Sequence, residues 1–165
     1  NLNATLRLEQ VEIHRTPGLR KIKRNDVLVF NFPYPNNWDR IEMHILKYYV
    51  KRCIGLPGDT LFIKKGRFRV EGIDEPLGNI KSQQKIGQTL PEEFPGGVYR
   101  CFPYDSIIGW NIQNFGPLYI PKTGDRLPMN LKNYQLYHKL ISWEQKAKLE
   151  YKDSTVFLND KPIKD

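Results

Sequence analysis

The chain has 165 residues, 39% hydrophobic, 12% aromatic and 27% charged, which is the size and composition of one folded domain or of a core with a sizeable insertion. No stretch approaches the ~18 uninterrupted apolar residues of a membrane span, and the opening NLNATLRLEQ has no signal-peptide pattern. The net charge of +8 is confined to one part: residues 1–70 carry 14 Lys and Arg against 6 Asp and Glu, and residues 71–165 carry 12 of each. A basic region of this kind attracts phosphate backbones or an anionic lipid surface, or is a solvated face.

In chain order, RKIKRNDVLVFNF passes from a basic cluster through a turn at Asn25 and Asp26 into a strand, with Val27, Val29 and Asn31 on one face and Leu28, Phe30 and Phe32 on the other. PYPNNWD reads as a loop, and IEMHILK as either a helical turn or a strand. YYVKRCI has the tyrosines and β-branched residues of a strand and is ended by GLPGD; TLFIKKGRFRVEG then forms a hairpin turning at Lys65 and Gly66. Beyond Gly72 the chain becomes polar and rich in glycine and proline, the pattern of a long irregular excursion. Short strands are expected in VYRCF, SIIGW and PLYI. One helix is expected over about 131–149, capped by Asn130, with Leu136, Leu140, Trp143 and Ala147 as its apolar stripe. The chain closes with a strand in STVFLND and an unfinished return. That open hairpin, and a first residue other than Met, lead us to expect a piece of a longer protein. Turns of the GD type recur at Asn25-Asp26, Gly58-Asp59 and Gly124-Asp125 without an aligned repeat around them. The fold class is therefore mainly β (α+β).

Cys53 and Cys101 lack CxxC spacing, and His14, His44 and His138 lack metal-ligand spacing. No metal and no cofactor are expected, and the thiols are expected reduced.

The unusual feature is Lys51 within the YYVKRCI strand. Tyr49, Lys51 and Cys53 share one face of it, and Val50, Arg52 and Ile54 the other. Both cations on a half-exposed edge, with stems on apolar surface and heads in water, is one reading. The other places Lys51 in an apolar cleft, where lost hydration lowers its pKa until the amine accepts a proton from a serine hydroxyl. The residues alone leave both open.

KRCIGLPGD resembles the lysine box, KRxxGxPGD, of the type I signal peptidases, membrane-anchored serine endopeptidases that cleave exported preproteins after Ala-x-Ala-like sequences. Lys51, Arg52, Gly55, Pro57, Gly58 and Asp59 match it. NDVLVFNFP is similar to the family's GDxVxF box, with Asp26 matched and Asn25, which tolerates the left-handed conformation, in place of glycine. VFLNDKPI resembles the hairpin that follows the lysine box. The resemblance implies a signal-peptidase-like β-barrel or sheet core in residues 1–71, an insertion in 72–153 and the start of the returning hairpin in 154–165. It implies Lys51 as general base of a Ser/Lys dyad, Arg52 as a structural partner, Gly55 to Asp59 as the turn that fixes the strand, and Tyr49 and Val50 as substrate contacts by strand addition. The implied partners are preprotein signal peptides and an anionic membrane surface, without nucleic acid. The implied location is the extracytoplasmic face of the bacterial inner membrane.

The family's nucleophile, in an SxMxP box before the lysine, has no counterpart here. Ser82, Ser106, Ser142 and Ser154 all follow Lys51, and aligning Pro17 puts Ile13 at the nucleophile position and Arg15 at the methionine. Thr16 has nothing adjacent to activate it. The chain alone is therefore expected to be inactive. A Ser/Lys autoprotease of the repressor-cleaving kind fits the LPGD turn less well. The alternative from another class is a basic β-barrel nucleic-acid-binding module in which Tyr48, Tyr49, Phe62 and Phe68 stack on bases.

Overall fold

The computed structural model of the chain describes residues 18, 20–34, 40–42 and 47–163. Three turns organise its first three quarters by one device. In Lys23–Asp26, Leu56–Asp59 and Lys122–Asp125 the closing aspartate N–H donates to the carbonyl three residues earlier (3.2, 3.0 and 3.1 Å). Its carboxylate accepts the N–H of that same residue at 2.8, 2.7 and 2.9 Å. The residue before each aspartate, Asn25, Gly58 or Gly124, has positive φ (67, 96 and 90°), as the third position of a type II turn requires. Asparagine therefore takes the glycine role at position 25, as its conformational tolerance predicts.

Strands follow from these turns. β1 (Val27–Asn31) pairs antiparallel with β2 (Tyr48–Arg52) as an isolated two-stranded ribbon. β3 (Thr60–Lys64) forms the expected hairpin with β4 (Arg67–Val70), turning at Lys65 and Gly66, both at positive φ. β5 (Asn114–Tyr119) pairs with the other edge of β3, so a strand from within residues 72–153 completes this sheet. β6 (Leu149–Lys152), β7 (Thr155–Leu158) and the short β8 (Lys161–Pro162) make a third sheet. The mainly-β expectation holds. The three sheets are separate and open among the described residues.

Two helices cover the second and third sheets. α2 (Leu131–Gln145) is capped by Asn130, whose side chain accepts from the Asn133 N–H at 3.0 Å, and it packs on β6. It ends four residues earlier than expected, because Lys146 turns into the left-handed region and Leu149 starts β6. Its buried residues are Leu136 and Tyr137, and Leu140 is exposed. The Tyr137 hydroxyl, which donates to the Tyr119 carbonyl at 2.8 Å, explains why the buried stripe runs past a tyrosine.

α1 (Ile80–Gln88) is a correction, since this segment reads as irregular. Its buried residue is polar: Gln83, 2% exposed, accepts from the Phe68 N–H at the free edge of β4 and donates to the Leu77 carbonyl. Its other contact is a glycine. Gly87 meets Gly66 of the hairpin turn so closely that a Cβ on Gly87 would stand 2.3 Å from the Lys65 carbonyl oxygen. A helix that packs through Gln and Gly carries no apolar periodicity to read. Gln113 then satisfies the helix C-terminus, donating to the Ile86 and Thr89 carbonyls at 2.7 and 2.8 Å. The strands expected in VYRCF and SIIGW are turns, with a single bridge at Arg100.

Candidate active site

The lysine box is built from the turn grammar above. Asp59, its side chain 11% exposed, takes the Leu56 N–H and a two-pronged ion pair from Arg24, with Nε at 2.9 Å and Nη2 at 2.6 Å. The guanidinium holds the Asp59 carboxyl below the usual carboxylate range. Asp26 is held at about 2, chiefly by the paired Arg20 guanidinium and then by the Lys23 N–H. Gly58 N–H donates to the Ile120 carbonyl and Ile120 N–H to the Asp59 carbonyl, which couples the box to the end of β5. Gly55 sits against Ile120, where a Cβ would stand 2.4 Å from the isoleucine Cδ1. Pro57 occupies the second turn position and is exposed.

The same frame anchors β2 to β1. Cys53 bonds both turn residues across the strand ends: its carbonyl accepts from the Asn25 N–H, and its N–H donates to the Asp26 carbonyl. Arg52 donates to the Asn25 carbonyl at 2.9 Å. The Asn25 amide, for its part, donates to the Pro76 carbonyl and accepts from the Gly78 N–H. Glycine at position 25 would lack both of these bonds.

On this ribbon Leu28 stands opposite Lys51 and Phe30 opposite Tyr49. The lysine face is therefore aromatic. The Tyr49 ring stacks on Phe32 (4.6 Å between centroids) and meets Phe30 edge-on (6.5 Å), while Phe32 meets Tyr34. Lys51 Nζ lies 5.0 Å from the Tyr49 centroid. Phe30, Phe32 and Tyr34 were not among the expected site residues. The alternation of Phe30 and Phe32 was legible, whereas Tyr34 read as loop, and only the strand register places the two phenylalanines beside the lysine.

The opposite face holds Val27, Val29, Val50 and Tyr48, 58 to 69% exposed. Tyr49 and Val50, the expected substrate contacts, thus point to opposite sides of β2. Lys51 itself is exposed. The expected apolar cleft is not formed by the described residues, because no helix or second sheet packs over the ribbon. No serine hydroxyl bonds to Lys51 among the described residues. Ser82 lies in the first turn of α1, Ser154 in the β6–β7 turn, and Ser142 in a cavity of about 420 Å³ between residues 40–42 and α2, with His138 and Trp143. His138 donates through Nδ1 to the Tyr134 carbonyl. Positions 13 to 17, where a nucleophile was sought, and His14 and His44 lie outside the described residues.

Cys53 and Cys101 are unpaired thiols, and burial pushes the pKa of both up. No group of side chains suited to a metal ion occurs among the described residues. No helix there is long and apolar enough to cross a membrane. The four aromatics of the nucleic-acid alternative do not form one platform. Tyr48 and Tyr49 face opposite sides of the ribbon, and Phe62 and Phe68 opposite sides of the second sheet, with Phe68 turned toward Gly78.

The family model described as signal peptidase, peptidase S26, matches residues 1–111. Signal peptidase I of Bacillus amyloliquefaciens is 40% identical over 52 residues, which is 29% of this chain and 28% of that protein. The chain thus aligns with less than a third of that relative's length. No solved structure matches. A family match over 111 of the 165 residues, with a lysine box in which Gly55, Gly58 and Asp59 each carry a defined structural task, places the chain in the signal peptidase S26 family.

Proposed function

We propose that this chain is the lysine-bearing part of a signal peptidase that removes N-terminal signal peptides from exported preproteins at a membrane surface, on the extracytoplasmic side of a bacterial membrane, with Lys51 as general base. The observation that carries the reading is the position of Lys51: it is held in register on β2 by the Asp26 and Asp59 turns, on an open ribbon with an aromatic floor.

In this mechanism the neutral Lys51 amine takes the proton of a serine hydroxyl, and the serine oxygen attacks the scissile carbonyl carbon. The resulting ammonium then gives its proton to the leaving amine, and water, activated by the same amine, hydrolyses the acyl-enzyme. A base of this kind must be shielded from water. The described residues leave the lysine face open, and the shield in this reading comes from the substrate strand and from the segment that supplies the serine. An extended substrate adding to β2 would present alternate side chains to the Tyr49 and Val50 faces.

The purified chain is accordingly expected not to cleave a preprotein. Cleavage by it that vanishes in Lys51→Ala would overturn the assignment of the nucleophile to another segment. In a longer polypeptide that supplies the serine, Lys51→Ala lowers turnover by about 10³-fold or more, the scale of a lost general base. Turnover that persists in that variant removes Lys51 from the mechanism.

A further inference from the structure

The β3–β4 hairpin places Lys64, Lys65, Arg67 and Arg69 within six residues, all exposed. Lys64 stands directly opposite Arg67, and Phe62 opposite Arg69, so three cations share the outer face with Phe62. Leu61, Ile63, Phe68 and the buried Val70 point the other way. Like charges placed opposite one another across a strand pair oppose folding.

No neutralisation by the described residues offsets this. Arg20, Arg24, Arg40, Lys148 and Lys152 all have carboxylate partners. The four hairpin cations form no ion pair and no side-chain hydrogen bond with the described residues. Asp74 and Glu75 border a cleft with Arg67 and Arg69 at the β4 edge, yet neither closes a pair there. A shallow depression of about 390 Å³ is lined by the four cations alone. The packing of the described residues gives no reason for the arrangement, and none of their carboxylates supplies its counter-charge.

The shape selects the partner. No large apolar side chain is exposed between residues 51 and 89, so the face offers neither a wedge nor an open ring for base stacking. Phe62 is half-buried beneath the Lys64 ammonium, 5.5 Å from its centroid. A shallow face whose exposed groups are cations fits a broad sheet of phosphates.

We propose that the outer face of the β3–β4 hairpin docks the chain electrostatically on the anionic phospholipid headgroups of a bilayer; the assignment rests on the reading above that the chain works at a membrane surface. Each cation near such a surface contributes about 1 kcal/mol, or roughly fivefold in binding. Co-sedimentation with phosphatidylcholine vesicles, with and without phosphatidylglycerol, tests it. The wild-type chain is expected to bind the mixed vesicles only, and less as salt rises. An Arg67→Ala/Arg69→Ala variant is expected to bind them roughly thirtyfold more weakly with an unchanged circular dichroism spectrum. Arg126→Ala/Lys132→Ala removes the same charge elsewhere and is expected to bind as wild type. Equal binding to both vesicle types, equal losses in the two double variants, or displacement from the vesicles by duplex oligonucleotide would each overturn the proposal. Lys51→Ala carried through the same assay separates the two readings: headgroup docking persists in it whether or not the lysine is the catalytic base.

Discussion

The β1–β2 ribbon and the β4–β3–β5 sheet lie side by side in sequence and are built on opposite principles. The sheet has an inward face with Val70 3% exposed, a covering helix whose Gln83 closes the edge of β4, and Leu77 2% exposed beneath the chain that enters that helix. The ribbon, which carries Lys51, has no such cover among the described residues: Val27, Val29, Val50 and Tyr48 are all more than half exposed. It is held from one end, by Arg24 on Asp59, Arg20 on Asp26, Arg52 on the Asn25 carbonyl, and Asn25 on residues 76 and 78. The comparison teaches that the packed unit and the candidate site are separate here. The sheet supplies the frame, and in the proposed function the ribbon offers a strand edge and the Lys51 amine to the substrate.

The separation is sharpest where a substitution should hurt most. Leu77→Ala is expected to cost about 3 kcal/mol, the scale of a truncated buried leucine, measured by urea unfolding. A cost near that of a surface change would mean that the sheet is not the stabilising unit.

Next in size is the joint between the two regions. Arg24→Ala leaves the largely buried Asp59 carboxylate without its cation, at about 2 kcal/mol. The pH dependence follows in sign from the same groups. Both carboxyls are depressed, Asp26 to about 2, so their stabilisation is complete above the ordinary carboxylate range near pH 4. For Asp26 it is lost as pH falls through about 2. The melting temperature should therefore drop on acidification below pH 4, and Asp26→Asn should flatten that drop. A curve of unchanged steepness in the variant would show that the turn does not contribute through its charge.

The smallest effect is the one that most directly probes the ribbon. Val50→Ser and Lys51→Ala are expected to shift stability by no more than about 0.5 kcal/mol, as exposed positions do. A loss above about 1 kcal/mol at Val50 would show that the valine face is covered in solution, and would erase the contrast.

Local chemistry was legible from residue order. The three aspartate-closed turns, the Lys65-Gly66 hairpin and the Asn130 cap each depend on residues within a few positions of one another, so spacing alone identifies them. So did the lysine box, whose turn is satisfied by its own backbone and by Asp59. What escaped was whatever depends on a distant partner. α1 was missed because its buried contacts are Gln83 and Gly87, residues that are indistinguishable from loop until a strand edge and a glycine turn are brought against them. The aromatic neighbours of Lys51 needed the β1–β2 register, and the pairing of β5 with β3 across some fifty residues has no local signature at all. By itself the sequence determined which residues bend the chain and which lysine stands in the lysine box, because backbone conformation and side-chain chemistry are local. Only the tertiary structure decided that this lysine stands on a ribbon left open by the described residues, since exposure is set by which elements pack together, and that is a property of no single segment.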